Sequence, residues 1–292
     1  MTVRRRPTPE PGPGELLIAI RAAGVNLVDT LFREGYLETG PLPLTLGSDF
    51  AGVVADTGDV DGFAIGEEVY GYKLLGNGTY AEYAAVSASL LARKPRSLPF
   101  AEAAALPCAG LVAYEAIVST LALQTGETIL IAGASGGVGH LAVQIAKARG
   151  AIVIATASRA NAQFVQSLGA DHVIDYTRDV AAEVRKIVAS GVDAALPTVP
   201  AAESSALHAT RDGGRITWIN NAFETPLERG IAGTETNGSH GTQLLDALTS
   251  LVEQGALKVH IDRKYALEDA GQAQAVVAAG HVRGKLVIDI AG

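Results

Sequence analysis

Residues 128–150 read TILIAGASGGVGHLAVQIAKARG. A short apolar run, Thr128–Ala132, leads into glycines at 133, 136, 137 and 139, and Val138–Arg149 follows with Leu141, Ile145 and Ala148 on one stripe. The pattern predicts a strand, a tight turn, and a helix that Gly150 ends. Such a turn needs one glycine to bend, one to let the backbone touch a pyrophosphate, and one to let helix and strand close up. The helix N-terminus then offers free N–H groups and a partial positive charge to phosphates. Gly133, Ala134, Ser135, Gly136, Gly137, Val138 and Gly139 are therefore the candidate dinucleotide-binding residues.

Downstream, the alternation continues. Ile152–Thr156, His172–Ile174, Val192–Leu196 and Arg215–Ile219 read as strands, and Ala160–Leu168, Val180–Ala189 and Leu244–Glu253 as helices. Such a chain forms right-handed crossovers and a doubly wound parallel sheet with helices on both faces. Upstream the character differs. Between Gly14 and about Leu98, the short runs Leu16–Ile20, Gly52–Ala55, Glu68–Tyr72 and Tyr80–Val86 are separated by Gly, Pro and Asp clusters, the mark of a small all-β unit. Phe100–Leu121 is Ala-rich with helical spacing and predicts two helices broken at Pro107 and Gly110. After residue 257, β character returns in Leu257–Ile261 and Leu286–Ile290, so the tail is expected to rejoin the first domain.

Composition bounds the function. With 48% apolar and 18% charged residues in 292, the chain can bury a core. A net charge of -8 argues against nucleic acid and anionic lipid as partners, since phosphate neutralisation needs a basic surface. The lone Cys108 excludes an internal disulfide and a four-cysteine zinc site. The start, MTVRRRPTPEPGPGE, has no apolar core of a signal peptide, and Thr128–Ala146 is interrupted by glycines, His140 and Gln144. A cytoplasmic protein with no membrane span is the expectation.

The end of the second strand of this alternating run reports on the cofactor. NAD sites place Asp or Glu there, about 20 residues beyond the turn, to hold the ribose hydroxyl. Here stand Thr156, Ala157, Ser158 and Arg159. A hydroxyl and a guanidinium suit a 2′-phosphate. NADP is the cofactor predicted; the competing reading of Arg159 is a solvated residue at a helix start.

Several segments together resemble a known family. These are AAGVNLVDTLFREG at 22–35, LGSDFAGVV at 46–54, GTYAEY at 78–83, AAALPCAGLVAYEA at 103–116, GASGGVGHLAVQIAKARGA at 133–151, SLGADHVIDY at 167–176 and GHVRGKLVI at 280–288. They resemble the zinc-independent quinone oxidoreductase and enoyl reductase branch of the medium-chain dehydrogenase/reductase superfamily. The resemblance implies an α/β protein: a Rossmann domain over 99–257 and a discontinuous GroES-like β-barrel domain over 1–98 and 258–292. The hairpin with which the family commonly opens is missing ahead of this segment. It also implies a homodimer, and a cleft where Asn26 faces the nicotinamide with Tyr36 nearby. Ser158 and Tyr176 are expected at the 2′-phosphate, with Arg159 or Asn161 where relatives carry Lys; Lys285 is a further cofactor candidate. For Asn26 the structural alternative is a helix cap, for Tyr36 ordinary packing, and for Asp29 and Arg33, four apart, a helix-face ion pair.

Superfamily members that use zinc place Cys, His or Glu at positions matching Asn26, Ser48 or Asp49, and Cys108. One thiol without a soft or imidazole partner makes a poor site, so no metal is expected and Cys108 reads as a buried thiol. The implied chemistry is hydride transfer from NADPH to a quinone or an α,β-unsaturated carbonyl. Val112, where relatives carry Thr, and Pro197 and Pro200 after the fourth strand depart from the pattern. The proline-substituted loop and the absent hairpin keep open an NADP(H)-binding redox sensor or interaction protein with little turnover. No Tyr-x-x-x-Lys pair exists to make a short-chain dehydrogenase.

Overall fold

A computed structural model describes residues 1–37, 43–73, 78–219, 223, 225–238 and 241–290. The first elements are β1 (Glu15–Val25), α1 (Leu27–Glu34), β2 (Asp49–Asp56), β3 (Glu68–Tyr72), β4 (Tyr83–Ser87) and β5 (Leu91–Arg93). Then follow α2 (Phe100–Ala105), α3 (Pro107–Tyr114), β6 (Thr128–Ala132), α4 (Gly139–Ala148), β7 (Ile152–Ala157) and α5 (Ala162–Ser167). Next come β8 (His172–Asp175), α6 (Val180–Ile187), β9 (Val192–Pro197), α7 (Glu203–Ala209) and β10 (Thr210–Ile219). The last are β11 (Ala232–Thr236), α8 (Thr242–Glu253), β12 (Ile261–Ala266), α9 (Ala270–Ala279) and β13 (Lys285–Asp289).

The chain folds as two units, Met1–Cys108 with His240–Gly255 and Val259–Gly292, and Ala109–Ser239 with Ala256–Lys258. This corrects the boundaries expected from sequence, which put α2 and α8 with the second unit. Helix α2 packs on β1, β2 and β13, and α8 packs on β5. The Tyr70 hydroxyl, from the middle of β3, donates to the Leu245 carbonyl at 2.7 Å and so ties α8 to the first sheet. The Ala-rich stretch also breaks only once: Pro107 starts α3, but Gly110 lies inside it, and a π-helical turn (Glu115–Thr120) continues the helix.

In the first unit, β1 alternates buried and partly exposed residues over Glu15–Ile20, the signature of a strand with one face on a core. Leu16, Ile18 and Ile20 pack there with Phe50, Val54, Val69, Val86 and Leu91. One edge of β1 is shared: Glu15–Ala19 pair with β4 and Ala22–Val25 with β13, both antiparallel. Strands β2, β3 and β5 extend the seven-stranded sheet from the other edge. The return of the chain is built as β12, α9 and β13; the strand expected at Leu257–Ile261 forms later, and α9 was not anticipated. Its sequence, AGQAQAVVAA, has too little polar contrast to mark a helical face.

In the second unit, six strands pair in parallel in the order β11-β10-β9-β6-β7-β8. All five residues of β6 are buried, as a strand covered on both faces requires. Helices α6 and α7 bring Val180, Val184, Ala206 and Leu207 onto Leu130, Ile154, Ala195 and Ile216, while α4 packs on β6 and β7. Strand order reverses at β6, which has β7 on one side and β9 on the other. Ligands of open α/β sheets bind outside the carboxyl ends of strands at such a reversal.

Candidate active site

The glycine-rich turn sits at that carboxyl end. Gly133 has φ +82, and a side chain there would run into the Thr198 hydroxyl at the end of β9. A Cβ on Gly139 would strike the Gly133 carbonyl and lie 2.7 Å from the Ala134 Cα, so α4 approaches β6 as closely as backbone allows. Gly136 differs: its Cβ would meet only the Gly133 carbonyl, at 3.4 Å, and otherwise face open space. Among the described residues, the N–H groups of Ser135, Gly137 and Val138 donate to no protein acceptor. The space and the spare donors fit a pyrophosphate at the start of α4.

Three side chains brace this cradle. Thr156, at the end of β7, accepts the Gly133 N–H on its hydroxyl at 3.2 Å and the Ala134 N–H on its carbonyl at 3.1 Å. The Asn161 amide donates to the Ser135 hydroxyl at 3.2 Å. Thr198 donates its N–H to the Ala132 carbonyl at 2.9 Å and its hydroxyl to the same oxygen at 2.8 Å. Of these, Thr198 was invisible in sequence, because it lies 65 residues from the turn it supports.

The β7 end carries Ser158 at the start of a 3-10 turn (Arg159–Asn161). The Arg159 Nε donates to Asp175 at 3.1 Å, leaving its two terminal amino groups without a partner among the described residues. Asp175 also accepts the N–H and hydroxyl of Thr177, and these bonds, with Arg159, hold its carboxyl below the ordinary range. Tyr176, next in the chain, is 53% exposed. Ala157, Ser158, Arg159, Ile174 and Asp175 line part of an open cavity of about 510 Å³.

In the first unit, a second cluster forms around two buried carboxylates. Asp29 is 1% exposed. It accepts the Asn26 N–H at 2.9 Å, the Ser48 hydroxyl at 2.6 Å and the Tyr80 hydroxyl at 2.9 Å. The expected pair with Arg33 does not form: Asp29 turns inward to cap α1, and Arg33 bonds Glu34 at 2.7 Å. Burial, only partly offset by those three bonds, pushes the Asp29 carboxyl up to about 6. Asp49 accepts the Cys108 N–H at 2.8 Å on one oxygen, and on the other the Asn26 amide at 2.9 Å and the Lys285 ammonium at 3.4 Å. Burial raises its carboxyl, against the pull of Lys285. Gly24 makes room for it, since a Cβ there would lie 2.8 Å from Asp49 Oδ2.

Lys285 stands here, in the first unit, 4% exposed and bonded to the Asn26 Oδ1, the Val25 carbonyl and Asp49. Asn26 precedes α1, but its amide serves Asp49 and Lys285. Tyr36 is not gathered into this cluster; it is 75% exposed after the C-terminal Gly35 of α1. Cys108, in the first turn of α3, is only partly buried, yet burial raises its thiol well above the ordinary range. A catalytic zinc does not fit these residues. Asn26 and Asp49 are bound to an ammonium, Ser48 is spent on Asp29, and a thiol that resists deprotonation is a poor ligand. No group of three potential metal ligands exists among the described residues, and no helix there is long and apolar enough to cross a membrane.

Comparison with known proteins matches residues 12–96 to the family described as "Alcohol dehydrogenase GroES-like domain" and residues 168–288 to "Zinc-binding dehydrogenase". A chloroplast envelope quinone oxidoreductase homolog of Arabidopsis thaliana is 32% identical, over 97% of this chain and 92% of that one. The 2-methylene-furan-3-one reductase of Solanum lycopersicum is 36% identical, over 94% and 71%. A mycobacterial protein solved in complex with NADPH superposes with a TM-score of 0.87 at 29% identity, over 98% and 94%.

Proposed function

Because the chain belongs to the zinc-independent quinone oxidoreductase branch of the medium-chain dehydrogenase/reductase superfamily, we propose that it takes NADPH in preference to NADH and reduces small quinones or enones. It is an NAD(P)H-dependent oxidoreductase acting on a small molecule; the choice of nucleotide, the substrate and the residue roles are our reading.

One observation carries that reading: a glycine cradle with unused N–H donors, flanked at the β7 end by Ser158 and Arg159 instead of an acid. Asp175 draws off only the Nε of Arg159, so both terminal amino groups remain for a phosphate. NADPH held here would supply the hydride for the reduction. Ser135, Gly137 and Val138 would hold the pyrophosphate against the start of α4 with Gly136 leaving it room, and Ser158 and Arg159 would hold the 2′-phosphate, with Tyr176 beside it. Asn26 donates a hydrogen bond to the acceptor's oxygen as negative charge builds there, a role that needs no metal. The proton that completes the reduction comes from water.

Pro197 and Pro200 favour a second reading, a nucleotide-binding sensor with little turnover. Against it, Thr198 between them bonds the turn's carbonyls and leaves the N–H donors free. The test is NADPH oxidation with 1,4-benzoquinone, 9,10-phenanthrenequinone and a small enone, with NADH in parallel. Turnover with a clear preference for NADPH supports the proposal. Tight NADPH binding with no oxidation by any acceptor overturns it in favour of the sensor. Sedimentation of the purified protein tests the homodimer that the family resemblance implies.

A further inference from the structure

We propose that Lys285 is a positioning residue for the reduction, holding the Asn26 carboxamide so that its unused N–H is a preset donor to the acceptor's oxygen; this rests on the reading of Asn26 as the group facing that oxygen. An ammonium has three N–H donors and no acceptor. The three acceptors around Lys285 are the Val25 carbonyl at 3.2 Å, Asp49 Oδ2 at 3.4 Å and Asn26 Oδ1. All three donors are therefore spent within the first unit. With the side chain 4% exposed, nothing is left over for a direct bond to the nucleotide.

The same contacts settle which way the Asn26 amide points. Lys285 only donates and the Asp49 carboxylate only accepts, so Oδ1 faces the ammonium and Nδ2 faces the carboxylate, at 2.9 Å. A half-turn would set NH2 against ammonium and oxygen against carboxylate, losing two charge-assisted hydrogen bonds. Asp49 is itself anchored through its other oxygen by the Cys108 N–H. Nδ2 carries a second N–H, which finds no acceptor among the described residues, and Asn26 retains 8% exposure. A rigid donor of this kind costs no reorganisation when charge develops on a bound oxygen. The cation and the carboxylate, 3.4 Å apart, close a ring of hydrogen bonds with it, and their charges cancel.

Lys285→Met, Lys285→Arg and the double variant Lys285→Met with Asp49→Asn separate this role from its rivals. In Lys285→Met, kcat with a quinone or enone falls about 10–100-fold, less than the roughly 100–1,000-fold of removing a preset donor outright because Asn26 remains but is no longer held, while the Kd for NADPH, read by fluorescence titration, is unchanged. Lys285→Arg recovers part of kcat. The double variant removes the uncompensated buried carboxylate and regains thermal stability, but kcat stays low because neither neighbour now dictates the amide's orientation. Recovery of kcat together with Tm in the double variant would mean a purely structural lysine and overturns the proposal. A raised Kd for NADPH at full kcat would mean a cofactor contact and overturns it as well. Asn26→Ala at wild-type kcat sinks it too, yet leaves the reductase reading standing, since that reading stands or falls with NADPH oxidation by the wild-type protein.

Discussion

Asp29 and Asp49 are both buried, but only Asp49 has a cation. Asp29 relies on three neutral donors, and its carboxyl rises from the ordinary 3.8 to about 6. The folded chain therefore binds that proton more tightly than the unfolded chain. The stabilisation is complete below pH 3.8 and is lost as pH rises through about 6. A shift of that size amounts to about 3 kcal/mol. Asn in place of Asp29 has no proton to lose. Urea unfolding at pH 4 and pH 7.5 is expected to show a smaller fall in stability for Asp29→Asn than for the wild type; parallel falls would refute this origin of the slope. At the cofactor end, removing a guanidinium from a phosphate costs about 1.5–3 kcal/mol. Arg159→Ala is expected to raise the KM for NADPH by about tenfold or more and leave that for NADH alone. An equal change for both nucleotides would remove Arg159 from phosphate recognition.

Turn and helix together make the cradle, and its glycines fall into two kinds. Gly139 is where α4 touches the turn, so a methyl group there must push backbone apart, at a cost of about 1–3 kcal/mol. Gly136 has room for a methyl group, but on the proposed reading that room is where the pyrophosphate would lie. Gly139→Ala is thus expected to lower Tm and nucleotide affinity together. Gly136→Ala should keep Tm and lose affinity alone. Calorimetry with NADPH titration reads both, and an unaffected Kd in Gly136→Ala would place the pyrophosphate elsewhere. The spacing of these glycines was fully legible in sequence, because turn, strand and helix are neighbours along the chain. The elements missed, β5, α7, β11 and α9, carry no local signal of that strength. Strand β11 (Ala232–Thr236) has few apolar residues, and it forms by pairing in parallel with β10.

At the scale of the molecule, the chain visits each unit more than once, and on its return to the second unit one side chain bonds both backbone groups of Lys258. Gln144 on α4 donates to the Lys258 carbonyl at 2.9 Å and accepts the Lys258 N–H at 2.9 Å, tying Ala256–Lys258 back to the second unit. At residue 144 the sequence showed only a polar interruption in an apolar stretch; its partner is 114 residues away. Losing both bonds at a 6% exposed site is expected to cost about 1–3 kcal/mol. Chemical denaturation of Gln144→Ala checks this, and an unchanged midpoint would show the tie to be idle.

Local order was written in the chain itself. The strand, glycines and helix at 128–150, the alternation after them, and the missing acid at Thr156–Arg159 are contiguous patterns, and steric and capping rules act on neighbours. Asn26, Asp49 and Lys285 are a different matter. Each sits in its own short motif, and 259 residues separate the lysine from the amide it grips. No periodicity links them. Only the pairing of β1 with β2 and β13 brings GVN, GSD and GK to one buried point. There the low dielectric makes three mutually satisfied polar groups far more favourable than any one of them alone.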